Sequence, residues 1–164
     1  MMISSGSDLK NKSTSSPFLT PPLLRDNDLL LSLARTTPAD PGKKHVPGYL
    51  FLMVHLPDRA VAGVVSLRIG NPETDLYFPG QIGYRVRKAY RGRHYAERSL
   101  KLILPFAREH GWKSLWISCR PDNAASRKCC EHNGGKLHEM TGMPEWHEMY
   151  GQGYREICRY VIDL

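Results

Sequence analysis

The chain has 164 residues, 41% of them hydrophobic, enough for one well-buried core and too few for two comfortable ones. Lys and Arg number 23 against 16 Asp and Glu, a formal charge of +7, which favours anionic partners such as phosphates, nucleic acid or acidic membranes without choosing among them. The four cysteines, Cys119, Cys129, Cys130 and Cys158, show no repeated spacing, so a disulfide framework and a zinc ribbon are both disfavoured and a reduced compartment fits.

Residues 1–16, "MMISSGSDLKNKSTSS", are rich in Ser, Asn, Lys and Gly and lack an apolar signal-peptide core, so a disordered tail is expected. No run of about 18 apolar residues follows, which disfavours a membrane span and points to a soluble, cytoplasmic protein. Residues 17–45 are broken by prolines and read as an irregular arm laid on a core. They leave room for one short helix over 27–35, capped by Asp26 or Asn27, with leucines at 29, 30, 31 and 33. "YLFLMVHL" (49–56) and "VAGVVSLRI" (61–69) read as strands joined by a hairpin, and "GQIGYRVR" (80–87) as a third, making an antiparallel meander.

Next comes "YRGRHYAERSL" (90–100), a basic turn ahead of a helix on which Ala96, Leu100, Ile103, Leu104 and Ala107 recur at helical spacing. "EHG" at 109–111 supplies a stop, and Pro105 predicts a kink near residue 101 unless the helix ends early. "SLWISC" (114–119) is a strand, "DNAASRKCCEHNGG" a cap, a short helix and a glycine stop, and 136–140 a further candidate strand. "YREICRYVIDL" closes the chain as an imperfect strand.

The basic turn carries the first chemical signal. Backbone N–H groups at a helix start lack internal partners and the macrodipole adds positive potential, so a phosphate finds donors there. Taken alone, the turn is either such a cradle or a solvated basic loop. About thirty residues downstream stands a second segment with Asn123, Ser126, Glu131 and Gly134. Together, Arg91, His94 and Ala96 in the turn and these four residues resemble the GNAT superfamily of N-acetyltransferases, whose turn and helix bind the acetyl-CoA pyrophosphate. The resemblance covers about 46–164, and it departs from the family pattern at His94, where a second glycine is usual.

The resemblance implies an α/β (α+β) fold, a mixed, mostly antiparallel sheet flanked by helices, here with a shortened N-terminal part. It implies acetyl-CoA as acyl donor, a primary amine as acceptor and no metal. Backbone groups of Tyr84, Arg85 and Val86 would pair with the pantetheine arm, with the Val86 N–H as oxyanion donor. The N–H groups of Arg91, Gly92, Arg93, His94, Tyr95 and Ala96 would hold the pyrophosphate, and Asn123 and Ser126 the pantetheine region. Cys130 occupies the position from which many relatives protonate the leaving thiolate.

By residue type alone, Asn123 is equally an N-cap, Ser126 a helix-surface residue and Cys130 a small buried hydrophobe. No general base is marked, since Gln81 and Tyr84 on the third strand are poor bases. The candidates fall in the late loop "HEMTGMPEWHEMYGQG", chiefly Glu145 and His147, beside Trp146 and Tyr150, where aromatic and acidic residues would receive a cationic amine. A short acceptor wall would have to be rearranged or completed by a second subunit, so a homodimer is allowed for. Two other readings compete: coenzyme A binding without turnover, and nucleic-acid binding. The latter is disfavoured because the basic residues are scattered and no aromatic-lined groove is visible.

Overall fold

The computed structural model describes residues 15–164, so all but the end of the expected tail lies outside the described residues. Eight strands form one sheet, in the spatial order β1-β2-β3-β4-β5-β6-β8-β7. They are β1 (Leu24–Asp26), β2 (Leu29–Thr37), β3 (Gly48–His55), β4 (Ala60–Arg68), β5 (Ile82–Val86), β6 (Ser114–Cys119), β7 (Lys136–Gly142) and β8 (Glu156–Asp163). Helices α1 (Tyr95–Glu109) and α2 (Ala124–His132) and the one-turn α3 (Glu148–Gly151) complete the fold. Every adjacent strand pair is antiparallel except β5 with β6. This is the mixed α+β architecture expected.

The meander β3-β4-β5 forms where its apolar runs place it. On β3, Tyr49, Phe51, Met53 and His55 point inward at every second residue, the period of a strand with one buried face. The helix expected over 27–35 does not form. Asn27, at φ 47, and Asp28 make a two-residue turn between Asp26 and Leu29, and β2 pairs along its length with β3. The residues read as a helix cap are a hairpin turn, for which Asn at positive φ is well suited. Leu29 and Leu31 are buried, Leu30 is half-buried and Ser32 to Thr37 are exposed, a pattern that pairing with β3 sets.

Helix α1 buries Tyr95, Leu100, Ile103, Phe106 and Ala107 against the sheet, with the Phe106 ring edge-on to Tyr49 at 5.2 Å. It runs through Pro105 instead of ending there; Pro105 is exposed, so the carbonyl deprived of its donor lies on the solvent side. Both α1 and α2 cover one face of the sheet. On the other face the Arg159 guanidinium lies 3.7 Å from the Tyr77 ring centroid and 4.6 Å from that of Trp116, ion-paired with Glu139 and donating to the Pro72 carbonyl at 2.9 Å. No helix among the described residues is long and apolar enough to cross a membrane.

Candidate active site

Strands β5 and β6 are joined at one end and open at the other. Gln81 stitches the closed end: its N–H donates to the Trp116 carbonyl at 2.7 Å and its side-chain Oε1 accepts from the Trp116 N–H at 2.9 Å. Beyond the single parallel pairing Ile82 with Ile117, the strands part. The free edge of β5 can be read from its other neighbour. Arg68 N–H donates to the Gln81 carbonyl and Arg87 N–H to the Ala62 carbonyl, each at 2.8 Å, which sets the alternation along β4 and β5. Gly83 and Arg85 therefore turn their backbone groups to β4, and Tyr84 and Val86 turn theirs to the gap. Of the three expected backbone partners, Arg85 is thus already engaged, and its side chain is exposed on the face away from the helices.

The basic turn leads straight from this edge into α1. Gly92 takes φ 81 and His94 φ 57, so the chain doubles back just before the helix. Helix α1 has no side-chain cap, and its first internal bond is Arg98 N–H to the His94 carbonyl at 2.9 Å. The N–H groups of Gly92, Arg93, His94, Tyr95, Ala96 and Glu97 consequently have no acceptor among the described residues, whereas the Arg91 N–H, also expected as a donor, is spent on the Lys88 carbonyl at 3.3 Å. Arg91 and Arg93 are exposed beside them, Arg91 reaching the Val86 carbonyl at 3.4 Å. The His94 ring is turned aside, with Nδ1 3.6 Å from Glu97, and Glu97 is held by His132 at 3.0 Å. That hydrogen bond from His132 depresses the Glu97 pKa and ties down a carboxylate that would otherwise face an incoming anion.

Helix α2 starts across the gap. Asn123 is exposed, and its Oδ1 accepts from the Ser126 N–H at 3.1 Å, the cap that residue type alone allows; its amide N–H groups have no acceptor among the described residues. Ser126 is buried, and its hydroxyl meets the Tyr84 hydroxyl at 2.7 Å, so it ties α2 to β5 instead of facing open space. Cys130 is 0% exposed, and burial pushes its thiol well above the ordinary range. A thiol so placed keeps its proton and packs as a small hydrophobe. Burial likewise holds the Tyr84 phenol protonated.

The late loop reaches the other face of the sheet. Glu145 is exposed, and its neighbour Trp146 lies 6.0 Å from the Phe78 ring. His147 packs on Phe78 at 4.8 Å and caps α3, with Nδ1 accepting from the Met149 N–H at 3.2 Å. Burial depresses its pKa, so the ring is neutral with its proton on Nε2, and no nitrogen lone pair is left to take a proton. Among the described residues no group of three or more His, Cys, Asp or Glu is placed to hold a metal.

Residues 26–136 match the acetyltransferase (GNAT) domain family, and the chain belongs to that family. Solved structures share the fold. One is RimL, a ribosomal L7/L12 alpha-N-protein acetyltransferase in complex with coenzyme A, at 23% identity and TM-score 0.56, the match covering 71% of this chain and 62% of that one. Another is the microcin C7 self-immunity acetyltransferase MccE with acetyl-CoA and AMP, at 20% identity and TM-score 0.55, covering 71% and 61%. A third is the ribosomal-protein-S5-alanine acetyltransferase from Vibrio fischeri, at 14% identity and TM-score 0.57, covering 71% and 61%. The likeness is one of fold, and the chain spans about three-fifths of the length of these three proteins. The curated proteins contain no match to the sequence.

Proposed function

We propose that the protein is an acetyl-CoA-dependent N-acetyltransferase acting on a primary amine by direct attack in a ternary complex. The observation that carries this is the free β5 edge running into an uncapped helix start: unpaired strand groups for an amide-bearing arm, then successive unpaired N–H groups for a pyrophosphate. The solved structures of RimL with coenzyme A and MccE with acetyl-CoA support the choice of ligand.

In this reading Tyr84 and Val86 pair with the pantetheine arm, and the Asn123 amide N–H groups reach it from α2. The free N–H groups of Gly92, Arg93, His94, Tyr95, Ala96 and Glu97 hold the pyrophosphate, with the Arg91 and Arg93 guanidinium groups adding charge. The amine nitrogen attacks the thioester carbonyl carbon, and the oxyanion that forms is held by the Val86 N–H. The C–S bond then breaks, the amine loses a proton to solvent, and the coenzyme A thiolate takes one from solvent, since Cys130 is buried and its thiol is held protonated. Because α1 and α2 cover one face of the sheet, the acceptor reaches the gap from the other, past the loop that carries Glu145 and His147.

Hydrogen exchange with and without acetyl-CoA tests the donor site: the amides of residues 92–97 are expected to gain protection, and no response there would refute it. A second reading, coenzyme A binding without turnover, is favoured by one observation, the engagement of His147 as a cap with no free lone pair. Acetyl-CoA binding by calorimetry with no release of free thiol across a broad amine panel would select it.

A further inference from the structure

The face of the sheet opposite α1 and α2 carries a cation that forms no ion pair with any carboxylate among the described residues. Arg68 ends β4, and its guanidinium lies across Gly83 of β5: a Cβ at residue 83 would stand 3.0 Å from Nη2 and 3.5 Å from Nη1. Its Nη1 donates to the Gly80 carbonyl at 3.2 Å and to the Pro79 carbonyl at 3.4 Å. Among the described residues its Nε and Nη2 have no acceptor, and no carboxylate forms an ion pair with it. Arg98 and Arg159 differ, while the half-buried Arg127 has only neutral acceptors, the Tyr160 hydroxyl at 3.1 Å and the Pro121 carbonyl at 3.4 Å. Arg98 bonds Asp26 at 2.6 Å and Asp28 at 2.7 Å, and Arg159 pairs with Glu139.

The acid whose charge bears on Arg68 is Glu148, which is turned toward His45 at 3.7 Å with its side chain 63% exposed. Burial lowers the Arg68 pKa, so the guanidinium is charged in a place that disfavours charge. A sheltered, unpaired guanidinium is costly, and an incoming anion that uses its two idle nitrogens offsets that cost. The place matters as much as the charge. Gly83 lies between Tyr84, which faces the gap, and Ile82, where β5 and β6 part, and Arg85 is exposed two residues on along the same face of β5.

We propose that Arg68 is a specificity residue that binds a carboxylate carried by the acceptor, so that the substrates are amines bearing a carboxylate, such as amino acids or peptides with an acidic first residue. This rests on the acetyltransferase reading above. The absent side chain at Gly83 lets the guanidinium lie against β5, and its Nε–Nη2 edge, without an acceptor among the described residues, carries parallel N–H groups that match a carboxylate's two oxygens.

The test uses the full chain and two steps. Calorimetric titration with acetyl-CoA comes first, and Arg68→Ala is expected to bind it as wild type does; absence of binding to either would count against the acetyltransferase reading itself. Protein saturated with coenzyme A, which cannot react, is then titrated with matched pairs of amino acids and their amides, and of short peptides beginning with Asp or Asn.

Wild type is expected to bind the carboxylate member at least about tenfold more tightly. Arg68→Ala should erase the difference, Arg68→Lys should keep part of it, and Arg85→Ala should leave most of it. Thiol release from acetyl-CoA should follow the same order in kcat/KM. Equal binding of each pair by wild type, or a preference that survives in Arg68→Ala, would overturn the proposal. Tighter binding of phosphate-bearing amines than of carboxylates would overturn the carboxylate assignment. If Arg68→Ala does not fold, Arg68→Lys and Arg68→Gln carry the comparison with the same expected loss.

Discussion

His94 shows how a single residue in this site is set by its backbone. At φ 57 an L side chain costs about 1 kcal/mol relative to glycine, and among the described residues the ring's only carboxylate contact is the loose one to Glu97. His94→Gly is therefore expected to raise stability by roughly 0.5–1 kcal/mol, read as the midpoint of a denaturant curve, while preserving or tightening acetyl-CoA binding. His94→Glu should weaken that binding about tenfold, because a carboxylate is placed beside the phosphates. Equal affinity for all three would mean that residue 94 faces away from the ligand. Ser99 is a second, independent case. Its hydroxyl is buried on α1 with no hydrogen-bond partner among the described residues, so Ser99→Ala is expected to gain about 1 kcal/mol in thermal or chemical unfolding, and a loss would mean the hydroxyl has a partner.

Among the elements, α2 combines two roles that one substitution cannot separate. Asn123 caps the helix through Oδ1 and presents its amide N–H groups to the gap. Asn123→Ala should lose about 1 kcal/mol of stability together with acetyl-CoA affinity. Asn123→Asp keeps a capping oxygen and removes the donor, so it should unfold as wild type does and still bind acetyl-CoA more weakly; unchanged affinity in Asn123→Asp would leave Asn123 a cap only.

The element scale is also where reading the sequence succeeded and failed most visibly. "SLWISC" and the helix after Asn123 stand where their patterns put them, because apolar alternation and a capping residue are local signals. The stretch with leucines at 29, 30, 31 and 33 fits neither period uniquely, and its state was decided by pairing with β3, which lies about twenty residues further along the chain. In the site, the basic turn and Asn123 were legible from their order and spacing. The Gln81 stitch, the Tyr84 to Ser126 bond and the solitary Arg68 were not, since each depends on residues that are remote in sequence.

At the scale of the whole molecule, two carboxylates tie distant segments together. Asp28, in the β1–β2 turn, accepts from the Tyr95 hydroxyl at 2.7 Å and from Arg98 at 2.7 Å, and these bonds, Tyr95 first, hold its pKa below the usual value. Glu139 on β7 is lowered in the same way, by Arg159 first and then by Tyr77. Each group binds a proton less readily folded than unfolded, so the stability it confers is fully present above the ordinary carboxylate pKa of about 4 and is lost as pH falls below it. The steep fall in unfolding temperature should accordingly lie between pH 5 and pH 3, below a shallower decline from pH 7 to 5 contributed by His110 and His147, whose pKa values burial depresses. Asp28→Asn should lower it at pH 7 and flatten the acid fall, and an undiminished fall in that variant would place the acid sensitivity elsewhere.

The sequence by itself determined the parts whose signals are local: the strand meander, two helices, and a basic turn at one helix start followed by a second helix headed by Asn123, in the order that marks the family. Tertiary structure alone decided which backbone groups of β5 stay unpaired, that Cys130 and Ser126 are buried, that His147 is spent as a cap, and that Arg68 has no ion-pair partner among the described residues. The physical reason is the same in each case. Whether a polar group is satisfied depends on what is packed against it, and those neighbours come from strands and loops far away in the chain.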